Sequence, residues 1–194
     1  MPFKPPEAKQ IFKIAPGVIL FMLAAITSTY LYVNSKMSFT IISPGIIYTS
    51  TTILVFVITR KITSILSLLL YYCLMITTYF LIWIATLYSA FFAFIAGILT
   101  AGAGALISFA LADKFVTRLS FSKRNIFIIG AASFLITDIF IFSFSNAFDK
   151  SPIQYIFNLE YSDRTLYAEV IFFWQLLVGA KLVFTLQKIA KQDT

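Results

Sequence analysis

The chain is written in long apolar stretches separated by short polar punctuation. Residues 14–33 carry no charge and end at Asn34-Ser35-Lys36, and residues 39–59 close on Arg60-Lys61. From Ile62 to Ala112, fifty-one residues pass without a charge. A single helix of that length would be more than twice as long as the ~30 Å hydrocarbon core of a bilayer. The stretch therefore predicts a hairpin of two spans, 62–83 and 88–112. Its turn is expected between Tyr79 and Ser89, where Tyr79, Trp83 and Tyr88 suit headgroup level. A basic loop with Lys114, Arg118, Lys123 and Arg124 follows, then an apolar run at 126–146. A polar loop, Ala147 to Thr165, leads to a last run at 166–187, closed by Lys188 and Lys191. The pattern predicts an all-α, polytopic membrane protein: one transmembrane domain over residues 1–194, built as a six-helix bundle.

Composition narrows the class. Sixty per cent of residues are hydrophobic and twelve per cent charged, against about 25% charged in soluble domains. With about 20 residues per span, six crossings use up the chain and leave no soluble catalytic domain. The formal charge of +7 sits at the ends of the apolar runs, so it reports topology and a lipid bilayer, with no nucleic acid as partner. Placing the N-terminus in the cytoplasm puts Lys4, Lys9, Lys13, Arg60, Lys61, Lys114, Arg118, Lys123, Arg124, Lys188 and Lys191 inside. Only Lys36, Lys150 and Arg164 then lie outside. That asymmetry predicts six spans with both termini cytoplasmic. The first run is longer than the apolar region of a signal peptide and reads as an uncleaved helix.

Histidine is absent and Cys73 is the only cysteine, which excludes disulfides within the chain and metal centres built on His or clustered Cys. No cofactor is called for. There is no nucleophile–base pair and no phosphate-binding loop, so an enzyme is not expected.

Asp138 is the most informative residue. It lies in the otherwise uncharged run Ile126 to Phe144, roughly 18 Å into its helix at 1.5 Å per residue. A carboxylate at that depth costs about 2.5–3.5 kcal/mol on insertion scales and marks a candidate site or a packing hydrogen bond. Its neighbour Thr137, Tyr30 from the Thr27-Ser28-Thr29-Tyr30 run, Thr51 from the Thr49–Thr52 hydroxyl cluster, Gln175 and Lys181 are further candidates for substrate binding. Lys181 is also placed to snorkel its ammonium to the interface. Glu169 and Gln175 suit a polar wall, although Glu169 also fits an interfacial position. Ser43-Pro44-Gly45 interrupts the second run, and such breaks persist where they line a cavity. The surplus of aromatic residues reads mostly as lipid-facing bulk, some of it able to stack on a flat ligand. The fourth run carries ridges of small residues that include Gly97, Ala101, Gly104, Ala105 and Ser108. Small residues at this spacing let helix backbones approach closely, either inside the bundle or against another subunit.

Several segments resemble the vitamin-uptake family that includes queuosine-precursor transporters. Ser108 to Leu119, SFALADKFVTRL, is similar to the exit of that family's fourth helix. Ala132 to Phe144, ASFLITDIFIFSF, is similar to its fifth helix, and Trp174 to Thr185, WQLLVGAKLVFT, to its last. AITSTYLYV in the first span resembles a hydroxyl-rich segment of the family. The second run departs from it: Pro44 is kept, but Thr51-Thr52 stand where the family carries an acid. The resemblance implies a bacterial inner-membrane importer of a small heterocycle of the 7-deazaguanine type, with Asp138 and Lys181 as ligand or mechanism residues. The alternatives are a substrate-binding membrane subunit of a larger, ATPase-driven transporter and a non-transporting assembly or scaffold protein.

Overall fold

The computed structural model describes residues 8–34, 37–59, 64–88, 93–148 and 163–190. These form six helices: α1 (Ala8–Asn34), α2 (Met37–Ile58), α3 (Ile65–Tyr88), α4 (Ala93–Phe115), α5 (Lys123–Phe148) and α6 (Asp163–Ala190). There are no strands among the described residues. Four helices contain stretches long and apolar enough to cross a membrane: Ala15–Asn34, Ile65–Ile82, Gly97–Phe115 and Ala168–Lys188. A shorter apolar segment, Ile42–Ile58, lies in α2.

The helix ends follow local chemistry. Ser64 Oγ accepts the backbone N–H of Ser67 at 3.1 Å, and Ser122 Oγ that of Asn125 at 3.4 Å. Each serine caps a helix start by satisfying a donor that has no partner within the helix. At the end of α4, Asp113 Oδ1 accepts the N–H of Leu119 at 2.6 Å and ties down the connection to α5. The helices run further than the apolar pattern predicts. α3 continues through Tyr88, because residues 79–88 hold no glycine or proline to stop it, and α4 begins at Ala93. The connection therefore lies at 89–92, not between Tyr79 and Ser89, and is outside the described residues. Most of the 147–165 loop is outside them as well. Pro16 sits inside α1 as its ninth residue.

Sequential helices pack as neighbours, and α6 returns against α1 to close the ring. α6 also reaches across to α2 and α4, so it is the helix that touches the centre. The exterior is aliphatic, with Ile65, Leu66, Leu69, Leu81, Ile95 and Ile139 among the most exposed side chains. The interior holds the large aromatics Phe21, Tyr48, Phe56, Tyr71 and Phe109 together with Ser28, Thr29, Ser43, Thr52, Ser108, Glu169 and Gln175. For the described aromatics this departs from the reading as lipid-facing bulk: among the described large exposed side chains only Tyr30, Phe80 and Phe184 are aromatic. An exterior of branched aliphatics around a partly polar interior is the arrangement hydrocarbon favours, because polar groups find no partners in lipid.

The buried hydroxyls are satisfied largely by their own helices. Thr49 donates to the Gly45 carbonyl at 2.6 Å, Thr52 to Tyr48 at 2.9 Å, Ser133 to Gly130 at 2.6 Å and Thr137 to Ser133 at 2.7 Å. Such back-bonds let a hydroxyl lie inside the bundle without a partner on another helix. At Gly130, α5 packs directly against the backbone of α4. A Cβ there would overlap the Ala101 carbonyl oxygen and come within 2.7 Å of Ala105 Cβ.

Gly130→Ala is therefore expected to destabilise the protein by about 1–3 kcal/mol, because the added methyl meets rigid backbone. Gly104→Ala, whose methyl would meet the flexible Ile82 Cδ1 at 3.0 Å and the Trp174 ring at 3.4 Å, should lose less than half as much. Thermal unfolding of the purified variants in detergent measures both.

Candidate functional site

The polar centre of the bundle forms where α6 meets α2. Pro44 lies inside α2 and is buried, and its carbonyl accepts the Nε2–H of Gln175 at 3.0 Å. A carbonyl has two lone pairs, so this bond can coexist with a helical one. It also fixes the amide orientation, because only the nitrogen of Gln175 can donate to an oxygen. Gln175 Oε1 must then face away from Pro44, and it has no hydrogen-bond partner although the residue is fully buried. An unsatisfied buried acceptor costs about 1–3 kcal/mol. Among the described residues no hydrogen bond repays that cost, so Gln175 Oε1 is an open acceptor in the bundle interior.

Aromatic side chains surround the amide. The Trp174 and Tyr48 rings meet at 5.1 Å between centroids, tilted by 55°, and Tyr79 meets Trp174 edge-on at 6.3 Å. Phe21 extends the group from α1, 5.5 Å from Tyr48. Trp174 uses its single N–H on the Ala101 carbonyl of α4 at 3.0 Å. The Tyr79 side chain faces the Gln175 amide without hydrogen-bonding Oε1. Three glycines make room for these rings: Gly45 beneath Tyr79, Gly104 beside Trp174 and Gly179 against Phe21. One face of the group therefore belongs to each of α1, α2, α3, α4 and α6.

A second polar patch lies along α2 in the direction of its C-terminus. The Tyr48 hydroxyl is 3.2 Å from Ser108 Oγ of α4. The buried Tyr71 hydroxyl of α3 has no hydrogen-bond partner, and it faces Tyr48, Thr52 and Ser108. Near the other end, Thr29 Oγ1 of α1 donates to the Ala168 carbonyl at 3.3 Å, and the adjacent Glu169 is only 1% exposed. That burial turns Glu169 toward the neighbouring helices of the bundle.

Of the residues singled out from the sequence, Gln175 is at the centre of this arrangement. Thr137 is buried but spends its hydroxyl on its own helix. Asp138 lies on α5, and its side chain is outside the described residues. Tyr30 is 51% exposed on the outer face of α1, so it is not part of the interior group: the neighbouring Ser28 and Thr29 point inward in its place. Thr51 and Lys181 are partly buried. Lys181 lies six residues beyond Gln175, roughly 9 Å along the helix. The ridges of α4 face other helices of the same chain. Gly97 receives Phe134 and Gly104 receives Ile82 and Trp174, while Ala101 and Ala105 border Gly130 and Ser108 bonds Tyr48. Tyr48, Tyr71, Tyr79 and Trp174 were not foreseen as site residues. The signal that could have found them is the Pro-Gly pair, since a helix face stripped of side chains at Gly45 calls for a large partner.

No family model, no curated protein and no solved structure matches the chain.

Trp174→Phe keeps the ring but removes the donor to Ala101, and it should destabilise the folded protein by about 1 kcal/mol. Tyr48→Phe should cost less, because the Ser108 hydroxyl it leaves can bond back to its own helix as neighbouring hydroxyls do. Paired unfolding curves in the same detergent give the comparison.

Proposed function

We propose that the chain is a six-span carrier of the bacterial inner membrane, with both termini cytoplasmic, that imports a small, flat, hydrogen-bonding heterocycle. The resemblance of its segments to queuosine-precursor transporters makes a 7-deazaguanine the solute of choice. The observation that carries the reading is the Gln175 amide, buried, held by the Pro44 carbonyl and left with an open acceptor among aromatic rings. A heterocycle binds there by donating a ring N–H to Gln175 Oε1 while Tyr48, Tyr79 and Trp174 cover its faces. Sites of this kind, mostly apolar with a few placed polar groups, are typical for small-molecule ligands. Asp138 is a second acceptor on α5, and Lys181 lies on the route toward the basic end of the bundle.

Six spans and cytoplasmic termini are supported by the positions of the described cations. Lys114, Lys123, Arg124 and Lys188 lie in the terminal turns of α4, α5 and α6, and Arg118 in the α4–α5 connection, the clustering that the positive-inside rule asks of a cytoplasmic face.

The test is uptake in a bacterial strain unable to make or import queuosine precursors, read as queuosine in tRNA with limiting 7-deazaguanine in the medium. The chain should restore the modification. Gln175→Leu and Asp138→Ala should each lower uptake by about tenfold or more at equal membrane abundance, equivalent to about 1.4 kcal/mol of lost solute stabilisation. Full uptake by a folded Gln175→Leu protein would sink the assignment of the acceptor, and no restoration by the parent chain would sink the solute class.

A further inference from the structure

The hydroxyl group between α2, α3 and α4 has an unbalanced hydrogen-bond count. Tyr48 and Ser108 share one bond, so whichever of them donates, the O–H of the other is unspent in that pair. Thr52 donates to the Tyr48 carbonyl at 2.9 Å and keeps the lone pairs of its oxygen. Tyr71, fully buried, has an O–H with no acceptor, and it faces the other three. The set therefore offers two unspent O–H donors and several unspent lone pairs among neighbouring buried side chains. No described lysine, arginine or carboxylate belongs to it, so neither an anion nor a metal cation is matched there. A neutral molecule that both donates and accepts is matched, and water is the smallest such molecule. Buried waters typically make about three hydrogen bonds to groups of this kind.

We propose that Tyr48, Thr52, Tyr71 and Ser108 hold a water molecule and form a wet polar step inside the bundle. The step lies between the Gln175 amide and the end of the ring that carries Lys114 and Arg118. From Ala101, which bonds Trp174, to Ser108 is seven residues of α4, roughly 10 Å along the helix. A solute leaving Gln175 in that direction meets the step next and replaces its water with its own donors and acceptors. The route thus passes the hydroxyls of α2, α3 and α4 on its way to the basic end of the ring. Its use as a route rests on the import reading, whereas the water site does not.

The chain's single cysteine makes the test direct. Cys73 is exposed, and Cys73→Ser provides a background without thiols. In that background Ser108→Cys is treated in membrane vesicles with a small water-soluble methanethiosulfonate, beside Leu69→Cys on the exposed aliphatic face. Thiolate forms only where water reaches the sulfur, so Ser108→Cys should react about tenfold faster or more than Leu69→Cys. Adding Tyr71→Phe, which removes one hydroxyl and keeps the ring, should slow that labelling and lower maximal uptake while leaving half-saturation unchanged. Equal labelling of positions 108 and 69 in proteins that melt with the parent would overturn the proposal. So would a Tyr71→Phe chain that is more stable, labels as before and transports as before, since its hydroxyl would then be only an uncompensated burial. Fast labelling at position 108 with no uptake of 7-deazaguanine supports the wet step and removes only the import reading.

Discussion

The hydrogen bond from Gln175 to Pro44 joins the two helices on which the interior depends. Proline in α2 is costly within a helix because it lacks an N–H, yet Pro44 lies buried and its carbonyl serves α6. With Nε2 committed there, the amide oxygen is left without a partner, and the rings of Tyr48, Tyr79 and Trp174 pack against one another around this part of α6. Gly45, next in the chain, admits the Tyr79 side chain against the α2 backbone. One Pro-Gly pair thus sets both the polar anchor and the aromatic wall. The same constraint governs the rest of the bundle, since a polar group in hydrocarbon must find its partner within the protein. Thr49, Thr52, Ser133 and Thr137 answer it locally, and Trp174 answers it across helices.

The helices were legible because charge is scarce and marks most of their ends. Lys36, Arg60, Lys114, Lys123 and Lys188 all lie within a few residues of a helix terminus. The boundary between α3 and α4 was not, because residues 79–88 contain no breaker and a headgroup preference of aromatics does not stop a helix. The centre of the site was only half legible. A glutamine in an apolar run stands out in the sequence as Asp138 does, and Gln175 was found that way. Tyr48, Tyr71 and Tyr79 were hidden among many similar residues. Helical periodicity tells which residues share a face, but in a membrane it does not tell whether that face looks at lipid or at protein, since both are apolar. Tyr30 was drawn in by its place in a hydroxyl run, although Ser28 and Thr29 take the inward positions of that turn.

The close contact at Gly130 has a mechanical consequence. α4 and α5 touch through backbone at Ala101, and their connection is tied by the Asp113–Leu119 bond. Interlocked at mid-length and clamped at one end, the two helices form a stiff paddle that resists sliding. The Ala101 carbonyl also accepts the Trp174 N–H, so α4, α5 and α6 meet at a single residue and three of the six helices are tied together at that level.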